Sequence, residues 1–290
     1  MGQDAAPALR IGELSRRLGV SEHVLRAWER RYGVLRPQRS AGGYRLYSEL
    51  DELRVRRMQA LIAGGLSAAE AARAALAEAP ASGGGQGLSA AAGLLGRSLD
   101  RFDEPGAQQA IDQLLGAFTV ETVLREVFLP YLHELGERWA RGEVSVGQEH
   151  FASNLLRGRL AALARGWGSG RGPQAILACP PGEQHDIGLI TFGIAAHRNG
   201  WRVRFLGADT PLADLARTAG ELRPSLVVVA VTRTGLLPGL TSGLAALADA
   251  VPLALGGAGA TGAAARAVGA TLLTGDPVTE AERLPVPSPA

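Results

Sequence analysis

The chain contains no lysine; all thirty of its basic residues are arginines. The planar fork of arginine favours two-pronged contacts with phosphate and guanine, although a biased genomic base composition leaves the same mark. Cysteine is almost absent too. The single Cys179 excludes an intramolecular disulfide and fits a reducing cytoplasm. Set in an apolar run, it reads as strand packing rather than chemistry. No apolar run reaches the roughly 20 residues of a membrane span, and the first residues lack the basic-then-apolar order of an export signal. The expectation is a cytoplasmic protein with no membrane partner.

What is present has room for two or three domains in 290 residues. Ala79-Pro80-Ala81-Ser82-Gly83-Gly84-Gly85-Gln86-Gly87 reads as a flexible linker over 79–87, and Trp167-Gly168-Ser169-Gly170-Arg171-Gly172-Pro173 as a second joint. The end, 284–290, is expected to be disordered. Through Glu78 there are 13 Arg against 9 Asp plus Glu, a surplus of four, so a net charge of +2 leaves the rest of the chain two negatives in excess. A basic first segment points to nucleic acid as its partner.

That segment, 8–78, opens with a helical run from Ile11 to Leu18, a turn at Gly19 and a capping Ser21. A second helix follows from Glu22 to Tyr32. Its His23, Arg26, Arg30 and Arg31 suit a recognition helix in a DNA major groove. Beyond Gly33, the Gly-turned stretch from Arg36 to Tyr47 reads as a hairpin in which Arg39, Gly43, Tyr44, Arg45 and Tyr47 grip phosphates.

The C-terminal part, 173–283, alternates strands and helices. Strands are expected at Ala175–Cys179, Trp201–Leu206, Ser225–Val231, Pro252–Leu255 and Ala270–Leu273, giving a doubly wound, five-stranded parallel sheet. The unbroken apolar run from Leu226 to Val231 is that of a central strand buried on both faces. Such sheets bind ligands at the carboxyl ends of their strands, and there lies Glu183-Gln184-His185-Asp186-Ile187-Gly188. His185 could ligate a metal with Glu183 orienting its other nitrogen, and Gly188 would admit a large flat ligand. Gly256, Gly257 and Gly275 could leave a slot for a ligand tail. Alone, such a histidine is more often a loop or helix-cap residue, and paired glycines only a tight turn.

Between these parts, 88–168 is helical throughout, with apolar residues at three- and four-residue spacing, for example at Ile111, Leu114, Leu115 and Phe118, and reads as a four-helix bundle. Within it, Trp139 precedes the pair Glu149-His150 by ten residues. The plain reading is a core tryptophan and a solvated pair. His133 and His197 read as helix-surface or helix-end residues and are not assigned as ligands.

Two resemblances sharpen this picture. The 8–78 segment, with Trp28-Glu29-Arg30-Arg31 and Gly43-Tyr44-Arg45-Leu46-Tyr47, resembles the winged-helix domain of MerR-family regulators almost without change. The C-terminal part resembles the flavodoxin-like cobalamin-binding domains of methionine synthase and methylmalonyl-CoA mutase, whose motif is Asp-x-His-x-x-Gly, then Ser-x-Leu, then Gly-Gly. By that resemblance His185 is the lower cobalt ligand, within a cofactor site that includes Glu183, Asp186, Ile187 and Gly188, and Gly256-Gly257 border the pocket of the dimethylbenzimidazole tail. Two positions depart: Glu183 stands for Asp, and the Ser-x-Leu region reads Ala230-Val231-Thr232-Arg233-Thr234, with Thr232 as the hydroxyl substitute. The spacing of Trp139, Glu149 and His150 ahead of the sheet is similar to that of the CarH and LitR type of cobalamin photoreceptor. It implies that the bundle caps the upper face, with Trp139 over the adenosyl group and Glu149 and His150 lining its pocket. Some members carry a second histidine directly after this tryptophan; here it is Ala140.

Together these imply a non-enzymatic regulator that binds double-stranded operator DNA and adenosylcobalamin, assembles in the dark into a homo-oligomer, by resemblance a tetramer, and lets go of DNA in light. Two alternatives stay open: a light-independent cobalamin sensor, which Ala140 favours, and a corrinoid-carrying methyltransferase component, against which the DNA-binding segment argues.

Overall fold

A computed structural model describes residues 9–40, 42–63, 67–77 and 84–285. Its internal contacts divide the chain into two units, Met1–Leu155 and Leu156–Ala290.

The first unit opens with α1 (Ile11–Leu18) and α2 (Glu22–Tyr32). Ser21 starts α2 by accepting the Val24 N–H at 3.4 Å. Leu14, Leu18 and Leu25 turn inward from the two helices. The hairpin β1 (Gln38–Arg39) and β2 (Arg45–Leu46) follows, with Gly43 in the left-handed region its turn requires (φ +79°). Next come α3 (Glu49–Ala63) and α4 (Ala68–Ala77), which share one core with Val34, Leu35 and Tyr47.

The helix α5 (Gly84–Asp100) begins inside the stretch read as linker, since Gly84 to Gly87 form its first turn; residues 78–83 lie outside the described residues. It is followed by α6 (Glu104–Ala117), by a long helix made of α7 (Val120–Val123), a π segment (Leu124–Phe128) and α8 (Leu129–Ala140), and by α9 (Val146–Leu163). These are the helices expected of the bundle. The π segment falls just before Pro130, which has no N–H to offer and displaces the carbonyl one turn back, so the wider hydrogen-bond spacing absorbs the mismatch. Arg138 ties α8 to α5 through both carboxylate oxygens of Asp100, at 3.1 and 3.2 Å.

The second unit is a parallel sheet of β3 (Gln174–Ala178), β4 (Arg202–Gly207), β5 (Leu226–Ala230), β6 (Leu253–Gly256) and β7 (Thr271–Leu272), in spatial order β4-β3-β5-β6-β7. This is the doubly wound order, with its direction reversing between β3 and β5. All five residues of β3 are buried, as are Val227, Val228 and Val229 of β5. Alternation sorts the inner residues by face. Ile176, Val227, Val229, Leu253 and Leu255 pack under α11 (Leu212–Leu222), α12 (Thr241–Ala250) and α13 (Gly262–Val268). The opposite face meets α10 (Ile187–Arg198), which packs beside α14 (Pro277–Glu282). Leu284, expected in the disordered end, belongs to this unit, its carbonyl accepting the Asn199 amide N–H at 3.4 Å; residues 286–290 lie outside the described residues. Among the described residues no helix is long and apolar enough to cross a membrane.

The β6 end is the tightest point of the sheet. Gly257 sits at φ +94°, and a Cβ there would lie 2.5 Å from the Val231 carbonyl oxygen. Gly257→Ala is expected to destabilise this unit by about 3 kcal/mol, from backbone strain plus the clash. Urea unfolding would show it, and a midpoint equal to the parent's would refute it.

Candidate functional site

In the first unit, Glu29 of α2 holds the wing. Its Oε1 accepts Arg45 Nε–H at 3.0 Å and its Oε2 accepts the Tyr47 hydroxyl at 2.8 Å. Tyr47 is fully buried and forms a bridge with Leu9, so it is a core residue and not the phosphate contact expected of it. Its phenol is pushed up from 10, first by burial and then by the Glu29 carboxylate. The remaining expected DNA contacts, His23, Arg26, Arg30 and Arg31 on α2 and Arg39, Gly43, Tyr44 and Arg45 on the wing, are all exposed. Tyr44, 63% exposed, has the Arg10 guanidinium 5.2 Å from its ring centre. An α-helix and an adjacent hairpin rich in arginine are a groove-and-backbone reader in kind.

In the second unit, the loop after β3 carries Glu183 and His185 to the carboxyl edge. Glu183 is fully buried, and each of its oxygens takes two N–H donors. Oε1 accepts the His185 main-chain N–H at 2.9 Å and lies 2.6 Å from the ring Nδ1; Oε2 accepts the main-chain N–H groups of Thr232 at 2.7 Å and Arg233 at 2.8 Å. Burial pushes this carboxyl up, but the bonds from Arg233, His185 and Thr232 outweigh it and hold it below the ordinary range. With the proton on Nδ1, the imidazole presents its Nε2 lone pair outward from a side chain that is 65% exposed. Thr232 therefore serves the site through its main chain; its hydroxyl makes no hydrogen bond among the described residues.

A cavity of about 360 Å³ runs inward from His185 between α10, α14 and the sheet, lined among others by Gly188, Leu189, Phe192, Val228, Thr232, Gly256, Gly257 and Gly275. The glycines divide into two kinds. Gly257 is demanded by the backbone beside it, while a Cβ on Gly275 would meet only the movable end of the Glu280 side chain, at 2.7 Å. A Cβ on Gly188 or Gly256 would meet nothing closer than 3.9 Å and 3.7 Å, so their bareness enlarges the cavity without any packing need. The site fits a corrinoid. A bare, oriented imidazole offers one axial bond, and no group of three metal-binding side chains stands with it among the described residues. That is the donor set required by a cobalt whose macrocycle supplies the other nitrogens.

Three expected site residues of this unit do not line the cavity: Glu183, which acts through His185, and Asp186 and Ile187. Asp186 is buried and its carboxylate is paired with Arg157 of α9, which opposes the rise that burial imposes on it. Ile187 begins α10 and does not line the cavity. Two residues that sequence reasoning missed are Arg157 and Glu280, both placed by tertiary contact alone.

On the helices of the first unit, Trp139 is 51% exposed, so the plain reading of it as a core residue fails. Glu149 accepts the Ser153 hydroxyl at 2.6 Å, with His150 Nε2 3.6 Å away. His133 pairs with Glu137 on the helix surface and His197 Nδ1 lies 3.0 Å from the Trp201 carbonyl.

Comparison with known proteins gives three family matches: MerR HTH family regulatory protein over residues 9–78, and two models both described as B12 binding domain, over 94–164 and 173–282. The chain is 33% identical over 257 residues to the HTH-type transcriptional repressor CarH of Myxococcus xanthus, covering 85% of this chain and 86% of that one. It is 38% identical over 231 residues to the repressor CarA of the same organism, covering 78% and 77%. A monomethylamine corrinoid protein of Methanosarcina barkeri shares the fold at 19% identity, with a TM-score of 0.54 over 65% of this chain and 93% of that one.

Two outcomes are expected from these geometries. Tyr47→Phe should lower stability by about 1 kcal/mol at neutral pH. Because the folded phenol ionises above its ordinary value of 10, the native stability it supports is complete below pH 10 and is lost as pH rises through the folded value. Unfolding curves of the variant should thus fall less steeply in alkali than the parent's; parallel curves would count against it. Gly256→Ala should leave the unliganded midpoint within about 1 kcal/mol yet weaken cobalamin binding in an absorbance titration, and unaltered binding would show the cavity is not used.

Proposed function

The chain belongs to the MerR-type regulators that carry a cobalamin-binding half, and from that premise we propose that it is a light-responsive repressor working with adenosylcobalamin. It is a cobalamin-binding transcriptional regulator; the outward-facing His185 held by a saturated, buried Glu183 supports the cobalt-ligand part of the reading, and the light response rests on the likeness of the Trp139, Glu149 and His150 spacing to the cobalamin photoreceptors.

In this reading His185 Nε2 takes the lower face of the corrin, while Gly188, Gly256 and Gly257 leave the volume its nucleotide tail fills. Adenosylcobalamin supplies a cobalt–carbon bond that green or near-ultraviolet light breaks. Trp139 covers the adenosyl group, and Glu149 and His150 line its pocket. Loaded with the cofactor, protomers assemble as a homo-oligomer, a tetramer in this reading, so that several winged helices meet the operator. Joining weak modules raises apparent affinity by about a hundredfold or more with no new base contact. In light Trp139 loses what it packs against, the bundle is released, and the assembly leaves the DNA.

A second reading keeps cobalamin and drops light. Ala140 favours it, because no second histidine follows Trp139 to take the metal once the upper ligand has gone.

Size exclusion with light scattering, on protein loaded in the dark and then illuminated, decides between them. The proposal expects a coloured oligomer that dissociates in light with loss of operator affinity; a coloured species of unchanged mass and affinity would sink it in favour of the sensor. Trp139→Ala should reduce assembly more than cobalamin affinity. His185→Ala should alter the cobalt spectrum of the bound cofactor, and an unaltered spectrum would remove the lower-ligand assignment.

A further inference from the structure

One group in the cavity is explained neither by the histidine nor by the glycines. Glu280 lies on α14 with its side chain 10% exposed, and it lines the cavity beside Leu189, Phe192, Leu273 and Pro277. Its Oε1 is occupied, accepting the Gly275 N–H at 2.8 Å and an Arg283 N–H at 3.0 Å. No hydrogen bond among the described residues reaches Oε2. Among the residues lining this largely apolar space, Glu280 is the one carboxylate. Oε2 keeps contact with solvent; a ligand that fills the cavity displaces that water, and the oxygen is then costly to bury unless the ligand brings a donor, the low local polarity raising both the cost and the gain.

We propose that Glu280 is a specificity-determining residue that reads the base ending the corrinoid's nucleotide tail, and that it favours bases bearing an N–H or O–H donor, such as adenine or hydroxybenzimidazole. This rests on the reading of the cavity as the tail pocket. With His185 on the metal, the tail base is detached, and the ring nitrogen it frees is an acceptor. Dimethylbenzimidazole then offers Oε2 only C–H groups and that one acceptor nitrogen, whereas the adenine amino group offers a donor. A site built to accept a hydrogen bond discriminates against the analogue that lacks it, because its own group is left unpaired. The upper adenosyl ligand is untouched by this choice.

The test is absorbance titration of the full chain in the dark with adenosylated cobamides that differ only in the lower base. In the parent protein, the 5-hydroxybenzimidazolyl form should bind about tenfold more tightly than the 5-methoxybenzimidazolyl form, which differs by a methyl cap on the one donor. Glu280→Gln keeps an acceptor for Gly275 and turns an amide donor to the cavity. It should shift the ratio of adeninyl to dimethylbenzimidazolyl affinity away from adenine, again by about tenfold. Equal binding of the two capped and uncapped forms, or a ratio that Glu280→Gln leaves within a factor of two or moves toward adenine, overturns the proposal. The parent-only comparison decides the matter if the variant fails to fold. His185→Ala separates the two failures: a spectrum it does not change rejects the tail-pocket reading itself, while a changed spectrum with no base discrimination rejects only the role of Glu280.

Discussion

The site in the sheet unit depends on one buried carboxylate. Glu183 gives up water altogether, a cost of several kcal/mol for an isolated ion, and recovers it through four N–H donors, each charge-assisted bond contributing about 1.5–3 kcal/mol. Two of those donors lie on the β3 loop and two on the loop after β5, so the bonds span the point where the strand order reverses. The neighbouring loop joins in, because Asp209 accepts the Gly182 N–H at 2.7 Å and returns its own N–H to the Glu183 carbonyl at 2.9 Å. The imidazole is thereby fixed in tautomer and direction without itself being buried, as a metal-binding histidine would need to be.

The same economy of charge recurs elsewhere. Glu29 gathers Arg45 and Tyr47 and so couples the wing to the recognition helix; Asp100 gathers Arg138 between two helices of the bundle. In a chain without lysine, acids at these positions fix geometry through directed guanidinium hydrogen bonds rather than through diffuse attraction. Loss of such an acid costs more than one bond, since its donors are left unpaired together.

Much of this was legible in the sequence because it is local. The strand spans match to within a residue or two, since β3 and β5 are continuous apolar runs between turns, and the His185 motif lies in one loop. The misses were tertiary. Tyr47 sits in a wing motif beside exposed Tyr44 and Arg45, but pairs in space with Leu9 and Glu29, and no local pattern tells a gripping tyrosine from a stapling one. Asp186 adjoins His185, yet the start of α10 turns it toward Arg157. The linker's glycines are poor helix formers, but Gly84 to Gly87 are carried into α5 as its first turn, ahead of the buried Leu95 and Leu99. Glu280 comes from the last helix of the sheet unit, and only the packing of α14 against α10 brings it to the cavity.

The two departures from the cobalamin motif explain each other. An aspartate at 183 placed to orient the histidine would extend less far toward the β5 loop, where the cobalamin motif carries a serine. Glutamate is longer by one methylene, and here its Oε2 reaches the peptide N–H groups of Thr232 and Arg233 directly, at 2.7 and 2.8 Å. Main-chain donors need no particular side chain, which frees this position to carry threonine and arginine. Arg233 uses that freedom to donate to the Gly182 carbonyl at 2.9 Å, closing the two loops from the solvent side. Restoring aspartate alone would withdraw the carboxylate from those N–H groups without supplying a hydroxyl, so the longer acid and the missing serine act as one substitution.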